Sequence, residues 1–151
     1  MPATGVGRAI RDERGQYSVM TLLLLAGMVM LLGMITDIGR AYAVRRMLQN
    51  AVDTAAQSAA HQINPNFSGR ETQLHISAAM GTAYEYFYRN APAGVTIDSV
   101  VVAVDPTTNT VEVRAQVRVP CMFLRLAGVR EIRPVAVGRA TVVYGLNREG
   151  E

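Results

Sequence analysis

Apolar residues are distributed differently in successive parts of the chain. A run from Val19 to Ile35 contains no charged residue. With its uncharged flanks it covers residues 17–36, and about 20 helical residues at 1.5 Å each cross a hydrocarbon core of roughly 30 Å. This pattern predicts one transmembrane helix over residues 17–36.

Charged residues flank the apolar run on both sides. They are Arg8, Arg11 and Arg14 before it, and Asp37, Arg40, Arg45 and Arg46 after it. Because the positive charges are nearly balanced, the positive-inside rule leaves the orientation open. We expect residues 1–16 to form a cytoplasmic arm, since a short arm and a bulky remainder fit a signal anchor. The alternative is a signal peptide cleaved at the small-x-small site 41–43.

A helical pattern continues beyond the predicted membrane segment. Small apolar residues recur at spacings of three and four, namely Ala41, Val44, Leu48, Ala51 or Val52, Ala55 and Ala59. This seam predicts that residues 37–62 continue the helix outside the membrane, until Asn64-Pro65-Asn66 ends it. The seam can pack on the chain's own domain or on neighbouring subunits.

A shorter helix is expected next. Ser68 and Glu71 have the spacing of a capping box, so the helix is predicted to begin there and to extend to Asn90. Residues 76–87 place one apolar stripe on it. The predicted helix therefore has one face suited to a core.

The last third of the sequence has the period of β-strands. From Val111 to Val119 apolar and polar residues alternate strictly, which indicates a half-buried antiparallel strand. An apolar strand over 95–104 should pair with it through a loop of four to six residues. Residues 120–129 read as a short helical or looped crossover, and 134–144 as a third strand. Residues 63–151 are therefore predicted to be a small α+β ectodomain with a three-stranded antiparallel sheet.

Composition argues against several functions. From Asp37 onward the sequence has 12 arginines against 10 acidic residues, with no basic patch interleaved with aromatics, so a nucleic-acid partner is not expected. The two histidines and the single Cys121 form no catalytic or metal-binding motif. We therefore predict no enzymatic activity, no cofactor, no metal and no small-molecule substrate.

Several short motifs resemble those of a known family. They are Arg14-Gly15, the apolar span, Asp37-x-Gly39-Arg40, the group Leu48-Gln49-Asn50-Ala51-x-Asp53, and the Ala-rich tail with Ala55. With the ending at 117–142, they resemble the TadE and TadG pilus-assembly proteins of the tight-adherence (Flp) pilus. The resemblance implies a pilin-like fold and a pseudopilin-like structural or assembly component of the bacterial inner membrane. The implied partners are the lipid bilayer, other pilus or secretion-platform proteins, and a second copy of the chain.

The same resemblance raises the question of processing. Arg14-Gly15 before an apolar run is similar to a pilin peptidase site, which would cut between Gly15 and Gln16. TadE-type relatives carry a Glu five residues after the cleaved Gly, and this chain has Met20 there. We therefore expect the arm to be retained. Membership of the TadE or TadG type stays open, and the alternative functions are a membrane-tethered periplasmic binding domain unrelated to pili and a released small domain or enzyme.

Overall fold

The protein has an α+β fold, as the sequence predicts. The computed structural model describes residues 13–62 and 75–142. Its elements are α1 (Glu13–Ala60), α2 (Ile76–Asn90), β1 (Thr96–Asp105), β2 (Thr110–Pro120), a 3-10 helix (Leu124–Ala127), β3 (Glu131–Ile132) and β4 (Val135–Thr141).

The first helix is one continuous element. Its 48 residues correspond to a length of about 70 Å at 1.5 Å per residue. It begins four residues before the predicted membrane segment and ends at Ala60, and the predicted terminator 64–66 lies outside the described residues. The predicted capping box at 68–71 lies outside them too. In the described part, His75 is the N-cap of α2, and its Nδ1 accepts the Ala78 N–H at 3.3 Å.

The sheet has four strands, so the prediction of three is wrong. β2 is central: it pairs antiparallel with β1 on one side and with both β4 and β3 on the other. The additional strand β3 is two residues long, too short for an alternation signal. Pro134 separates β3 from β4, because its nitrogen cannot donate to the ladder, although its carbonyl still accepts the Val117 N–H.

The predicted register of the central strand is confirmed. Its alternate residues Val111, Val113, Ala115, Val117 and Val119 are buried in the core, whereas Arg114 is exposed. The hairpin loop has four residues, 106–109, within the predicted range. Asp105 organises it by accepting the hydroxyl and backbone N–H of Thr107, and these bonds, with one from Thr108, lower the pKa of Asp105 to about 2.

The core lies between one face of the sheet and the two helices. Ala79, Ala83 and Phe87 are the buried residues of α2, in agreement with its apolar stripe. The sheet approaches α1 most closely at Gly138 in β4, where an added Cβ would lie 2.5 Å from the carbonyl carbon and oxygen of Val52. Small residues on both elements therefore allow a backbone-to-backbone approach.

Candidate functional site

Burial divides α1 at Gly33. From residue 15 to residue 32 every side chain is exposed in the isolated chain. Beyond that point one face is buried, with members mostly three or four residues apart. This packed stripe consists of Gly33, Asp37, Ala41, Val44, Leu48, Ala51, Val52, Ala55, Ala56, Ala59 and Ala60. The motifs Asp37-x-Gly39-Arg40 and Leu48-Gln49-Asn50-Ala51-x-Asp53 lie on and around this stripe.

The one charged member of the packed stripe is Asp37, whose exposed fraction is 6%. Its carboxylate accepts three consecutive backbone N–H groups at the start of the 3-10 helix. The Met122 N–H lies 3.1 Å from both oxygens, and the N–H groups of Phe123 and Leu124 lie 2.7 and 2.8 Å from Oδ2. We call this arrangement the Asp37 clasp. It connects α1 to a loop 85 residues later in the sequence.

The Asp37 clasp provides hydrogen-bond partners both for the carboxylate and for the N–H groups of the loop. The first N–H groups of a helix have no partner within it, and a carboxylate is the strongest acceptor that a side chain can offer them. The bond from Leu124, with those from Met122 and Phe123, lowers the pKa of Asp37 although desolvation raises it, and Arg40 lowers it further. Asp37 is therefore ionised at neutral pH, and the backbone N–H groups of the loop stabilise its charge.

Gly33 supports the same loop one turn before Asp37. A Cβ at Gly33 would lie 2.2 Å from Cγ of Phe123, so the absence of a side chain lets the Phe123 ring contact the helix. The neighbouring Cys121 is buried, and this burial raises the pKa of its thiol. The loop is thus fixed to α1 by one polar and one apolar contact.

The second motif connects α1 to the sheet edge. Gln49 donates through Nε2 to the Val137 carbonyl at 2.8 Å and to Asp53 Oδ1 at 3.0 Å. Leu48 and Ala51 are fully buried beside this pair. The motif therefore positions β4 on the helix, with the carboxylate of Asp53 orienting the amide of Gln49.

Other predicted site residues lie away from these contacts. Gly39 has open space around it, Arg40 is exposed, and Asn50 lies on the outer face of α1. Ala55 is fully buried in the core, and Gly15 and Gln16 lie exposed near the start of α1. The inner-face residues of the two motifs therefore form two separate contacts of α1, one with the loop after β2 and one with β4, and the other predicted residues take part in neither.

Sequence reasoning missed the partner of Asp37. The sequence identified Asp37 only as a flanking charge and as part of a motif, whereas the structure places three backbone N–H groups at its carboxylate. The available signal was the crossover segment itself, where Pro120 and Gly128 bracket a short turn with unsatisfied N–H groups. Among the described residues, no group of three or more His, Cys, Asp or Glu side chains could hold a metal ion.

These features define a class of protein: a small α+β domain built on the extension of one long apolar helix. α1 is the one helix of the described chain, over Gly15–Ala60, that is long and apolar enough to cross a membrane. Residues 15–62 match the model of the family described as putative Flp pilus-assembly TadE/G-like. This match confirms the resemblance for residues 15–62. Comparisons with curated proteins and with solved structures find no match.

Proposed function

We propose that this protein is a pseudopilin-like structural component that helps to assemble a tight-adherence (Flp-type) pilus or its secretion machine. The observation that carries the proposal is the family match over residues 15–62. The matched segment contains the apolar half of α1 and both motifs that attach the domain to it. A catalytic or ligand-binding site is not needed for this role, because the role that we propose is the rigid placement of a domain on a membrane helix.

We infer a single-pass location in the bacterial inner membrane, with residues 1–16 cytoplasmic, 17–36 in the bilayer, 37–62 as the extramembrane part of the helix, and 63–151 as a periplasmic or pilus-associated ectodomain. Two hydroxyl groups in the apolar half support this placement. Thr21 and Thr36 donate to the carbonyls of Tyr17 and Leu32, four residues earlier, at 2.8 and 2.9 Å. Polar groups satisfied within the helix are what a lipid environment requires.

The outer face of α1 supplies a surface for partners. Tyr42 and Met47 are large and exposed on the part of α1 that lies beyond the predicted bilayer. With Ala43, Arg46 and Asn50 they line a shallow concavity of about 330 Å³. The packed stripe contacts the chain's own domain, so the outer face and the apolar span remain available to other pilus or secretion-platform proteins or to a second copy.

Piliation in the native bacterium tests the proposal. Removal of the gene should abolish or strongly reduce pili, and the wild-type chain should restore them. Asp37→Asn should restore them poorly, because the clasp loses its charge. Asp105→Asn is the matched control: it also neutralises a carboxylate that accepts backbone and hydroxyl donors, but in the distant hairpin loop.

Crosslinking distinguishes this function from a tethered binding domain. A photoreactive residue at Met47 should capture pilus or secretion-platform proteins, or another copy of the chain. Normal piliation without the gene, together with capture of an unrelated periplasmic protein, would replace the pilus function with the tethered binding domain.

A further inference from the structure

The loop after β2 exposes apolar side chains beside the apolar half of α1. Met122 is 70% exposed and Leu126 is 76% exposed, the highest values among the large hydrophobic residues of the described chain. Phe123 lies between them against Gly33. We call residues Met122–Leu126 the apolar loop. Such side chains are unfavourable in water and favourable in lipid.

The apolar loop and α1 together form a groove of about 440 Å³. The groove is lined by Leu22, Leu25, Ala26, Val29 and Met30 of α1, together with Phe123 and Leu126. Val29 is seven residues before the end of the predicted span at Thr36, which corresponds to roughly 10 Å along the helix axis. The tip of the loop is therefore level with residues that we place inside the bilayer.

The backbone of the apolar loop is suited to a medium without water. Asp37 accepts the N–H groups of Met122, Phe123 and Leu124. Further along, the Leu126 N–H donates to the Phe123 carbonyl and the Val129 N–H to the Leu124 carbonyl. Lipid offers backbone polar groups no hydrogen-bond partner, so each such group at membrane depth needs a partner within the protein. The Asp37 clasp therefore lowers the cost of placing this loop at the membrane interface, because three of its N–H groups need no water.

Charge also indicates a lipid surface. Residues 121–130 contain Arg125 and Arg130 and no acidic residue, and both arginines are exposed. A long arginine side chain can lie along apolar surface while its guanidinium reaches the phosphate groups at the interface. Apolar side chains together with nearby arginines are typical of a segment that buries an apolar face at one membrane interface.

We propose that the apolar loop inserts into the leaflet at the C-terminal end of the α1 span. Met122, Phe123 and Leu126 contact acyl chains, one acyl chain fills the groove beside Val29, and Arg125 binds lipid phosphate. This inference rests on the proposed membrane location of α1. Its consequence is a second attachment point, which fixes the height of the ectodomain above the bilayer and resists rotation of the domain about the helix axis.

Tryptophan fluorescence can test this, because the chain contains no tryptophan. Single variants of the full chain are reconstituted into phosphatidylcholine vesicles with brominated acyl chains, which quench a tryptophan in contact with them. Leu126→Trp reports on the loop, and Met122→Trp gives an independent second reading. Val101→Trp, at an exposed position midway along β1, is the negative control.

A fourth variant separates the loop from the span. Leu24→Trp lies on an exposed part of α1 that is outside the groove, facing away from it at about 100° per residue. We expect Leu126→Trp, Met122→Trp and Leu24→Trp to lose most of their emission in brominated vesicles and Val101→Trp to keep it. Quenching of Leu24→Trp alone would overturn the loop insertion and leave the span intact.

Two further results would also contradict the inference. A blue-shifted Leu126→Trp emission that neither brominated lipid nor aqueous acrylamide quenches would mean that protein, and not lipid, covers the loop. Absence of quenching at both Leu126→Trp and Leu24→Trp would overturn the membrane location of α1 together with the loop insertion.

Discussion

The two halves of α1 share one continuous helical backbone and differ in what surrounds them. The first half, 15–32, is exposed on all sides and rich in Leu and Met, whereas the second half, 37–60, buries one stripe of mostly small residues. A helix that is apolar all round is suited to lipid, and a helix with one apolar stripe is suited to a domain surface. The same element is therefore suited to act both as an anchor and as a core helix.

A charged residue, Asp37, lies at the border between the two halves of α1. A carboxylate close to hydrocarbon is costly unless it is paired, and Asp37 has three backbone donors. Gly33, one turn earlier, gives the same loop room against the helix. The comparison teaches that the domain is attached to α1 at the transition itself, and not merely suspended beyond it.

The largest loss of stability is expected from a charge placed in the core between the sheet and the second half of α1. Val117→Asp places an unpaired charge where the native side chain is fully buried, which should cost several kcal/mol and unfold the ectodomain. Arg114→Asp, on the exposed face of the same strand, should cost under about 1 kcal/mol. Thermal unfolding of the full chain in detergent measures both, and equal shifts in Tm would contradict the register.

A smaller loss is expected from overpacking of the packed stripe. Ala55→Leu adds volume in a fully buried position and should destabilise the domain by about 1 to 3 kcal/mol. Gln57→Leu adds a similar side chain on the exposed face of α1 and should leave Tm nearly unchanged. If Ala55→Leu has no effect on either Tm or piliation, the stripe is not a tight contact.

Asp37→Asn should have a local effect. Because the folded pKa of Asp37 lies below its ordinary value of about 4, the clasp stabilises the loop fully above pH 4 and is lost as the pH falls through the folded pKa. In the wild-type chain, the protection of the Met122–Leu124 N–H groups from hydrogen exchange, corrected for its intrinsic pH dependence, should decrease when the pH is lowered below about 4.

The Asn variant should lack that transition and be less protected at neutral pH. An unchanged acid transition in the variant would assign it to another carboxyl group, such as Asp105.

The last prediction is that the chain is not cleaved, so its mass should be that of the full sequence. We expect the chain to keep its arm, since Met20 stands where pilin-like relatives place the Glu that offsets charge between neighbouring helices. An uncut arm with Arg8, Arg11 and Arg14 would keep α1 in the membrane, so the protein would be a stationary component and not a polymerised subunit. Intact-mass measurement of protein from its own membrane decides this, and a form beginning at Gln16 would contradict it.

Local sequence patterns predicted most of the fold. They did not predict contacts between residues that are distant in sequence. Alternation located β2 and its buried valines because strand side chains have a period of two. It could not reveal that Asp37 pairs with a loop 85 residues away, since such a contact leaves no periodic trace. Nor could alternation reveal that Arg118, on the polar side of β2, is half-buried and bonded to Asp98 at 2.7 Å.

The central claim is that α1 passes from lipid to an exported domain at Asp37, and thiol labelling in intact cells tests it most directly. In a Cys121→Ala chain, Leu24→Cys and Met47→Cys place one thiol in each half, both at exposed positions of the helix. A maleimide that cannot cross the inner membrane, applied after the outer membrane is made permeable, should label Met47→Cys and leave Leu24→Cys unlabelled. Labelling of Leu24→Cys, or labelling of Met47→Cys only after lysis, would contradict the account.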